Sequence, residues 1–200
     1  MMQRIPLILS AAALAAALGA AGAEAGPLVG QPAPTFELVD ADGQAHRLAD
    51  YRGRIVVLEW TNQTCPFVMR HYREGTMKQL RAAYPDSQVA WLAINTTHNN
   101  TPEQTRSWSV GQGIVYPTLL DADGAVGQLY EARTTPHMFV IDGAGILRYD
   151  GAIDDDPTGS KPAPERVQYV RECLDALLAG QTPPHTTTRP YGCSVKYAAR

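Results

Sequence analysis

Apolar residues in this chain gather in blocks with two different periods. Positions 54–61, Arg-Ile-Val-Val-Leu-Glu-Trp-Thr, are apolar almost without a break and rich in β-branched side chains. That is the pattern of a strand covered on both faces of a sheet. A second such run, Gln-Val-Ala-Trp-Leu-Ala-Ile-Asn-Thr-Thr, fills 88–97. Between them, 66–84 predicts a helix, with Pro66 at the favoured first position, Pro85 closing it and Gly75 able to bend it. Upstream, short runs at 35–40 and 44–48 flank the turn Asp-Ala-Asp-Gly at 40–43 and predict a hairpin.

Downstream the blocks are shorter. Positions 101–113 predict a helix capped by Thr101 ahead of Pro102. The run 115–121 leads into a second Asp-Ala-Asp-Gly turn at 121–124, and 125–132 predicts a short helix. Two apolar runs in 138–153 surround Asp-Gly-Ala-Gly, the clearest hairpin in the chain. A loop at 154–164 precedes a last helix at 165–180, stopped by Gly180, and the Pro- and Thr-rich remainder, 181–200, predicts an extended tail. Strands alternating with helices, then an antiparallel pair, predict an α/β domain with a mixed β-sheet flanked by helices over 26–180.

The first 25 residues stand apart: Arg4 precedes an uncharged, alanine-dominated run and small-residue cleavage sites at 21–25. They predict a signal peptide, and with it a periplasmic or secreted protein without stable membrane insertion after cleavage. Net charge is −3 with both signs interspersed, which gives no electrostatic reason to expect nucleic acid as a partner. Three cysteines, Cys65, Cys173 and Cys193, lie beyond residue 25. An odd number in an oxidising compartment leaves at least one free or paired with another molecule.

Candidate chemistry concentrates at Cys65. The sulfur stands at the head of a predicted helix, where unpaired N–H groups and the positive end of the helix dipole favour a thiolate. A strand, a Cys-Pro helix start and "Thr-Thr-Pro-His" at 134–137 together resemble the thioredoxin fold. The N-terminal β-hairpin extension resembles its peroxiredoxin-like branch, the alkyl hydroperoxide reductase/thiol-specific antioxidant group, here with a single cysteine at the motif. The resemblance implies a cis Pro136 whose loop lies against Cys65 and receives a partner as an added strand at Thr135 and Pro136. It also implies that Glu59, six residues before Cys65, is a buried acid that manages a proton. Trp60 and Pro66, flanking this motif, complete the expected substrate-contacting set.

Departures from that pattern matter as much. Val68 stands where thioredoxins carry a second cysteine, so this motif cannot resolve its own mixed disulfide. Asn62 stands where peroxiredoxins carry threonine. Cys193 is the candidate resolving thiol, or else a staple for the tail, whereas Cys173 fits simple packing beside Leu174 and Leu177. The expected activity is thiol–disulfide exchange by Cys65 on a protein or small-molecule partner. Thiol peroxidase, non-catalytic binding and Cu(I) binding are the alternatives. Cys65, Met69, His71 and His137 include soft ligands, but Met69 suits the core and both histidines suit the surface. Neither metal nor cofactor is assigned.

Overall fold

The strand β3 (Ile55–Trp60) has all six residues buried, and its neighbours explain why. It pairs in parallel with β4 (Val89–Asn95) on one edge and antiparallel with β7 (His137–Ile141) on the other. Occupied on both edges and both faces, it has no wet side to pattern, hence the continuous apolar run. In the computed structural model, which describes residues 27–198, four more strands extend this centre. They are β1 (Glu37–Asp40), β2 (Ala45–Arg47), β5 (Thr118–Leu120) and β8 (Leu147–Gly151), giving a seven-stranded sheet of order β2-β1-β5-β4-β3-β7-β8. The hairpin β1–β2 joins through antiparallel pairing of β1 with β5, Val39 opposite Leu120. The α/β class with a mixed sheet and an N-terminal hairpin is as expected.

Strand alternation sends Val57 and Glu59 to one face and Val56, Leu58 and Trp60 to the other. The first face packs under α1 (Pro66–Arg73), α2 (Thr76–Ala82) and α5 (Tyr169–Leu178), with Val68, Tyr72, Met77, Leu80 and Leu174 against Val57, Trp91 and Val140. Trp108 of α3 (Pro102–Gln112) adds to it. The second face packs under α4 (Ala125–Leu129) and the hairpin region, with Val126, Tyr130 and Phe36 against Leu58, Trp60 and Phe139.

The expected helices at 66–84 and 165–180 are shorter than their sequence patterns. The 66–84 helix breaks at Gly75, whose φ of +78° suits glycine and restarts the chain as the N-cap of α2. The last helix begins at Tyr169, because the Asp155 carboxylate accepts the Val167 N–H at 3.0 Å and Arg166 is held by Glu74 and Asp156. By contrast α3 starts where predicted: Thr101 accepts the Gln104 N–H at 3.2 Å, and the Gln104 side chain answers the Thr101 N–H at 2.9 Å. A second, two-stranded sheet pairs β6 (Thr134–Thr135) with β9 (Cys193–Ser194); two-residue strands carry no readable period. The expected signal peptide lies outside the described residues. Among the described residues, no helix is long and apolar enough to cross a membrane.

Candidate active site

Beyond β3 the chain turns through 61–64. The Asn62 side-chain oxygen accepts from the Thr64 N–H and hydroxyl, each at 2.8 Å, and the Asn62 carbonyl accepts the Cys65 N–H at 3.0 Å. This local closure delivers Cys65 in extended backbone (φ −79°, ψ 120°) as the N-cap of α1, with Pro66 exposed at the first helical position. Asn62 therefore spends its carboxamide oxygen on building the turn.

Cys65 is not open to solvent. It is 1% exposed, because the tail returns across it. The Thr135–Pro136 bond is cis, as expected, and Thr135 sits opposite Cys193 in the β6–β9 pair. The Cys65 thiol donates to the Thr135 carbonyl at 2.9 Å, and Cys193, across from Thr135, is close enough for each thiol to shift the other's acidity. Both are free thiols. Burial alone would raise the Cys65 pKa. Donation from the Thr135 hydroxyl, the Val68 N–H, and the Cys193 thiol and N–H outweighs it, and the pKa falls below the ordinary thiol value. Burial and the nearby Cys65 push Cys193 the other way, up to about 11. The pair is thus polarised, with Cys65 the more acidic thiol and Cys193 the less acidic partner.

Glu59 lies on the same face of β3 as this pair and is fully buried. Trp91 Nε1 donates to its Oε2 at 2.9 Å; the Tyr116 hydroxyl stands 3.0 Å from Oε2, and the Tyr72 hydroxyl 2.9 Å from Oε1. The two hydroxyls are themselves 2.8 Å apart. Trp91, Tyr72 and Tyr116 bring one proton each to these four contacts, so the ring closes when the carboxyl carries the fourth. The Thr61 hydroxyl is near the same carboxyl without hydrogen-bond geometry. Burial, opposed by these donors, raises the Glu59 pKa. Tyr72 lies seven residues along α1 from Cys65 and links this acid to the helix that Cys65 heads.

Other expected residues fall elsewhere. Trp60 is completely buried on the opposite face, tilted against Tyr130 and edge-on to Phe139, its Nε1 donating to Thr96 at 3.0 Å. Being next to Glu59 in a strand is what sends it away from Cys65. Thr135 and Pro136 are at the site but buried beneath the tail. His137 is buried too, tilted against Phe139 and 2.6 Å from Asp150, off the Cys65 face. Cys173 packs in α5, where burial pushes its pKa up to about 12.

The tail is seated by residues the sequence reading passed over. Tyr191 lies by Phe67 and His71, its hydroxyl donating to Asp154 and standing 3.1 Å from His71 Nε2 and 3.4 Å from Arg70. His71, taken for a surface residue, is fully buried, and burial with Arg70 and Arg166 nearby lowers its pKa to about 3. It is neutral there. Gly192 (φ +140°) passes so close to Thr135 that a Cβ would strike that residue's carbonyl. On the far side Val195 N–H donates to Arg133 at 3.1 Å, and Tyr197 rests on Gly124 and Gly127 with its hydroxyl 2.8 Å from the Ala132 carbonyl. The Tyr-Gly directly before Cys193 was the available signal.

Residues 29–150 match the AhpC/TSA family. Thiol-disulfide oxidoreductase ResA of Geobacillus kaustophilus is 30% identical over 120 residues, covering 60% of this chain and 67% of that protein. Among solved structures, an uncharacterized conserved protein from Geobacillus kaustophilus aligns with a TM-score of 0.78 at 29% identity, over 86% of this chain and 94% of that one. Thioredoxin-like superfamily protein SPOA0173 aligns with a TM-score of 0.54 at 27% identity, over 60% and 84%. With a helix-heading cysteine facing a cis-proline loop on this sheet, and that match across 29–150, the chain belongs to the AhpC/TSA family and has a thioredoxin-like fold.

Proposed function

We propose that this chain is an exported thiol–disulfide oxidoreductase whose redox couple is Cys65 with Cys193. The observation that carries the reading is the Cys193 thiol beside Cys65, in a strand paired with Thr135. In the reductive direction the Cys65 thiolate attacks one sulfur of a partner disulfide. The partner's S–S bond breaks, its other sulfur leaves and takes a proton, and a Cys65–partner mixed disulfide remains. Cys193 then gives up its proton and attacks the Cys65 sulfur. The partner leaves as a dithiol, two electrons reduced, and the chain holds a Cys65–Cys193 disulfide. An external dithiol returns it to the reduced state, and the same steps reversed oxidise a substrate dithiol. A lowered pKa at Cys65 and a raised one at Cys193 suit this order of attack.

The relative named a thiol-disulfide oxidoreductase supports this chemistry at the level of class. Export rests on the pattern of residues 1–25 and suits a compartment where disulfides persist. The proton role expected of Glu59 rests on its buried place beside Tyr72 and Tyr116 and on a pKa that burial raises. The test is to trap the intermediate. Cys193→Ser, mixed with a disulfide-bearing substrate peptide, is expected to accumulate a Cys65-linked adduct in non-reducing peptide mapping. Absence of that adduct, with Cys65 unreactive toward disulfides, sinks the reading.

Peroxide reduction is the second reading, favoured by the family match. Cys65 would attack the O–O bond to give a sulfenate and release water or alcohol, and Cys193 would condense with it to the same disulfide. Asn62, spent on its turn, offers no hydroxyl to the peroxide. Sulfenate trapping after a peroxide pulse separates the two.

A further inference from the structure

Resting on that reading, we propose that residues 189–197 are a tethered ligand in the partner groove of Cys65, and that the groove selects an extended strand ordered Tyr-Gly-Cys. The edge of β6 next to Cys65 is where an added strand would bind, and the tail already fills it: Thr134 faces Ser194 and Thr135 faces Cys193. Two aromatic latches hold it. Tyr191 is half-buried among Phe67, Arg70, His71 and Asp154 on one side, and Tyr197 lies in the notch of Gly124 and Gly127 on the other. Neither glycine leaves room for a side chain, since a Cβ would come within 2.7 Å of the Tyr197 ring at Gly124 and 2.8 Å of its hydroxyl at Gly127.

Between the latches the fit is set by Gly192. Its backbone runs against the Thr135 carbonyl, and any side chain there would meet that carbonyl and the Pro136 nitrogen. A strand that presents its cysteine to Cys65 in this register therefore has glycine just before it. The Tyr191 pocket adds a hydroxyl-bearing ring one residue earlier: the hydroxyl meets a carboxylate, a guanidinium and a neutral imidazole in one half-buried spot. The movable piece is short. Thr188 is tied to β8 through its N–H to the Asp150 carbonyl at 3.1 Å and by accepting the Ala152 N–H at 2.9 Å, so release begins at Arg189. With the tail seated, Cys193 lies over Cys65; with it lifted, the same edge takes another strand.

The test uses the full chain and a labelled synthetic peptide of residues 189–197 with serine in place of Cys193, so that binding is read by fluorescence anisotropy without thiol chemistry. A ligand site occupied about nine-tenths of the time by its tether shows about tenfold weaker apparent affinity. Gly192→Ala should therefore bind the peptide about tenfold more tightly than the unsubstituted chain. A peptide with alanine in place of Gly192 should lose binding to both. Equal affinity for the two proteins, or equal binding of the two peptides, overturns the proposal. If Gly192→Ala fails to fold, judged by circular dichroism, Tyr191→Ala unseats the latch from the other end and is held to the same outcomes. Failure of disulfide exchange with peptide selectivity intact removes the redox reading and leaves the groove standing; loss of selectivity with exchange intact does the reverse.

Discussion

Cys65 and Cys173 are both buried sulfurs in the same hydrophobic cluster, and their acidities move in opposite directions. Cys173 lies inside α5, where burial alone acts on it and holds its pKa at about 12. Cys65 caps α1, where burial is countered by the Thr135 hydroxyl, the Val68 N–H and two groups of Cys193. Burial is common to both; the supply of donors to the anion is what differs. Glu59 is the instructive third case. It has donors from Trp91, Tyr72 and Tyr116, yet its deeper burial wins and its pKa is raised. Reactivity in this molecule is thus set by a contest between desolvation and hydrogen bonding, settled differently at each site.

The largest predicted effect comes from exchanging the roles of the two buried sulfurs. Cys65→Ser should reduce disulfide exchange to the uncatalysed level, whereas Cys173→Ala should keep it; equal losses in a coupled thiol-exchange assay would erase the contrast. Next is the donor itself. Cys193→Ala removes a thiol donor from Cys65 and should raise the Cys65 pKa in a pH series of alkylation rates. Cys193→Ser keeps a hydroxyl donor and should raise it less, although both variants lose resolution. A higher pKa in Cys193→Ser than in Cys193→Ala would overturn the donor argument.

A smaller effect is expected at the acid. A carboxyl whose folded pKa is raised lends its stability below its unfolded pKa of roughly 4.3 and loses it as pH climbs through the folded value. Glu59→Gln keeps the proton-rich ring without a titrating group. It should unfold at higher denaturant than the parent chain at alkaline pH and match it near pH 4. An unchanged pH profile would mean that Glu59 is ionised in the fold. The smallest effect is at Cys173. Cys173→Ala should cost about 1 kcal/mol at neutral pH through the small cavity left behind. Because its folded pKa is raised, Cys173 makes the parent chain lose stability as pH rises above its unfolded value of roughly 8.5, at up to about 1.4 kcal/mol per pH unit. The alanine variant should lack that share of the alkaline slope in chemical denaturation.

Much of this arrangement could be read from residue order because the signals were local. The unbroken apolar run of β3, the Cys65-Pro66 helix start and the Thr101 cap each act through neighbours within a few positions. Trp60 faces away from Glu59 for an equally simple reason: a strand puts adjacent residues on opposite faces. His71 and His137 looked like surface residues because a lone polar side chain carries no mark of burial. Their partners, Tyr191 and Asp150, are distant in the chain or on the next strand.

Residue order alone determined the central strand, the helix that Cys65 heads and the loss of a second cysteine at position 68, since each depends on hydrogen bonds and side-chain spacing along a single stretch. Long-range packing decided that Cys65 is covered, that Cys193 is what covers it, and that Glu59 is ringed by Trp91, Tyr72 and Tyr116. Those contacts join residues 13 to 70 positions and more apart. No local period encodes them, because they come into being when the sheet, the helices and the returning tail meet in three dimensions.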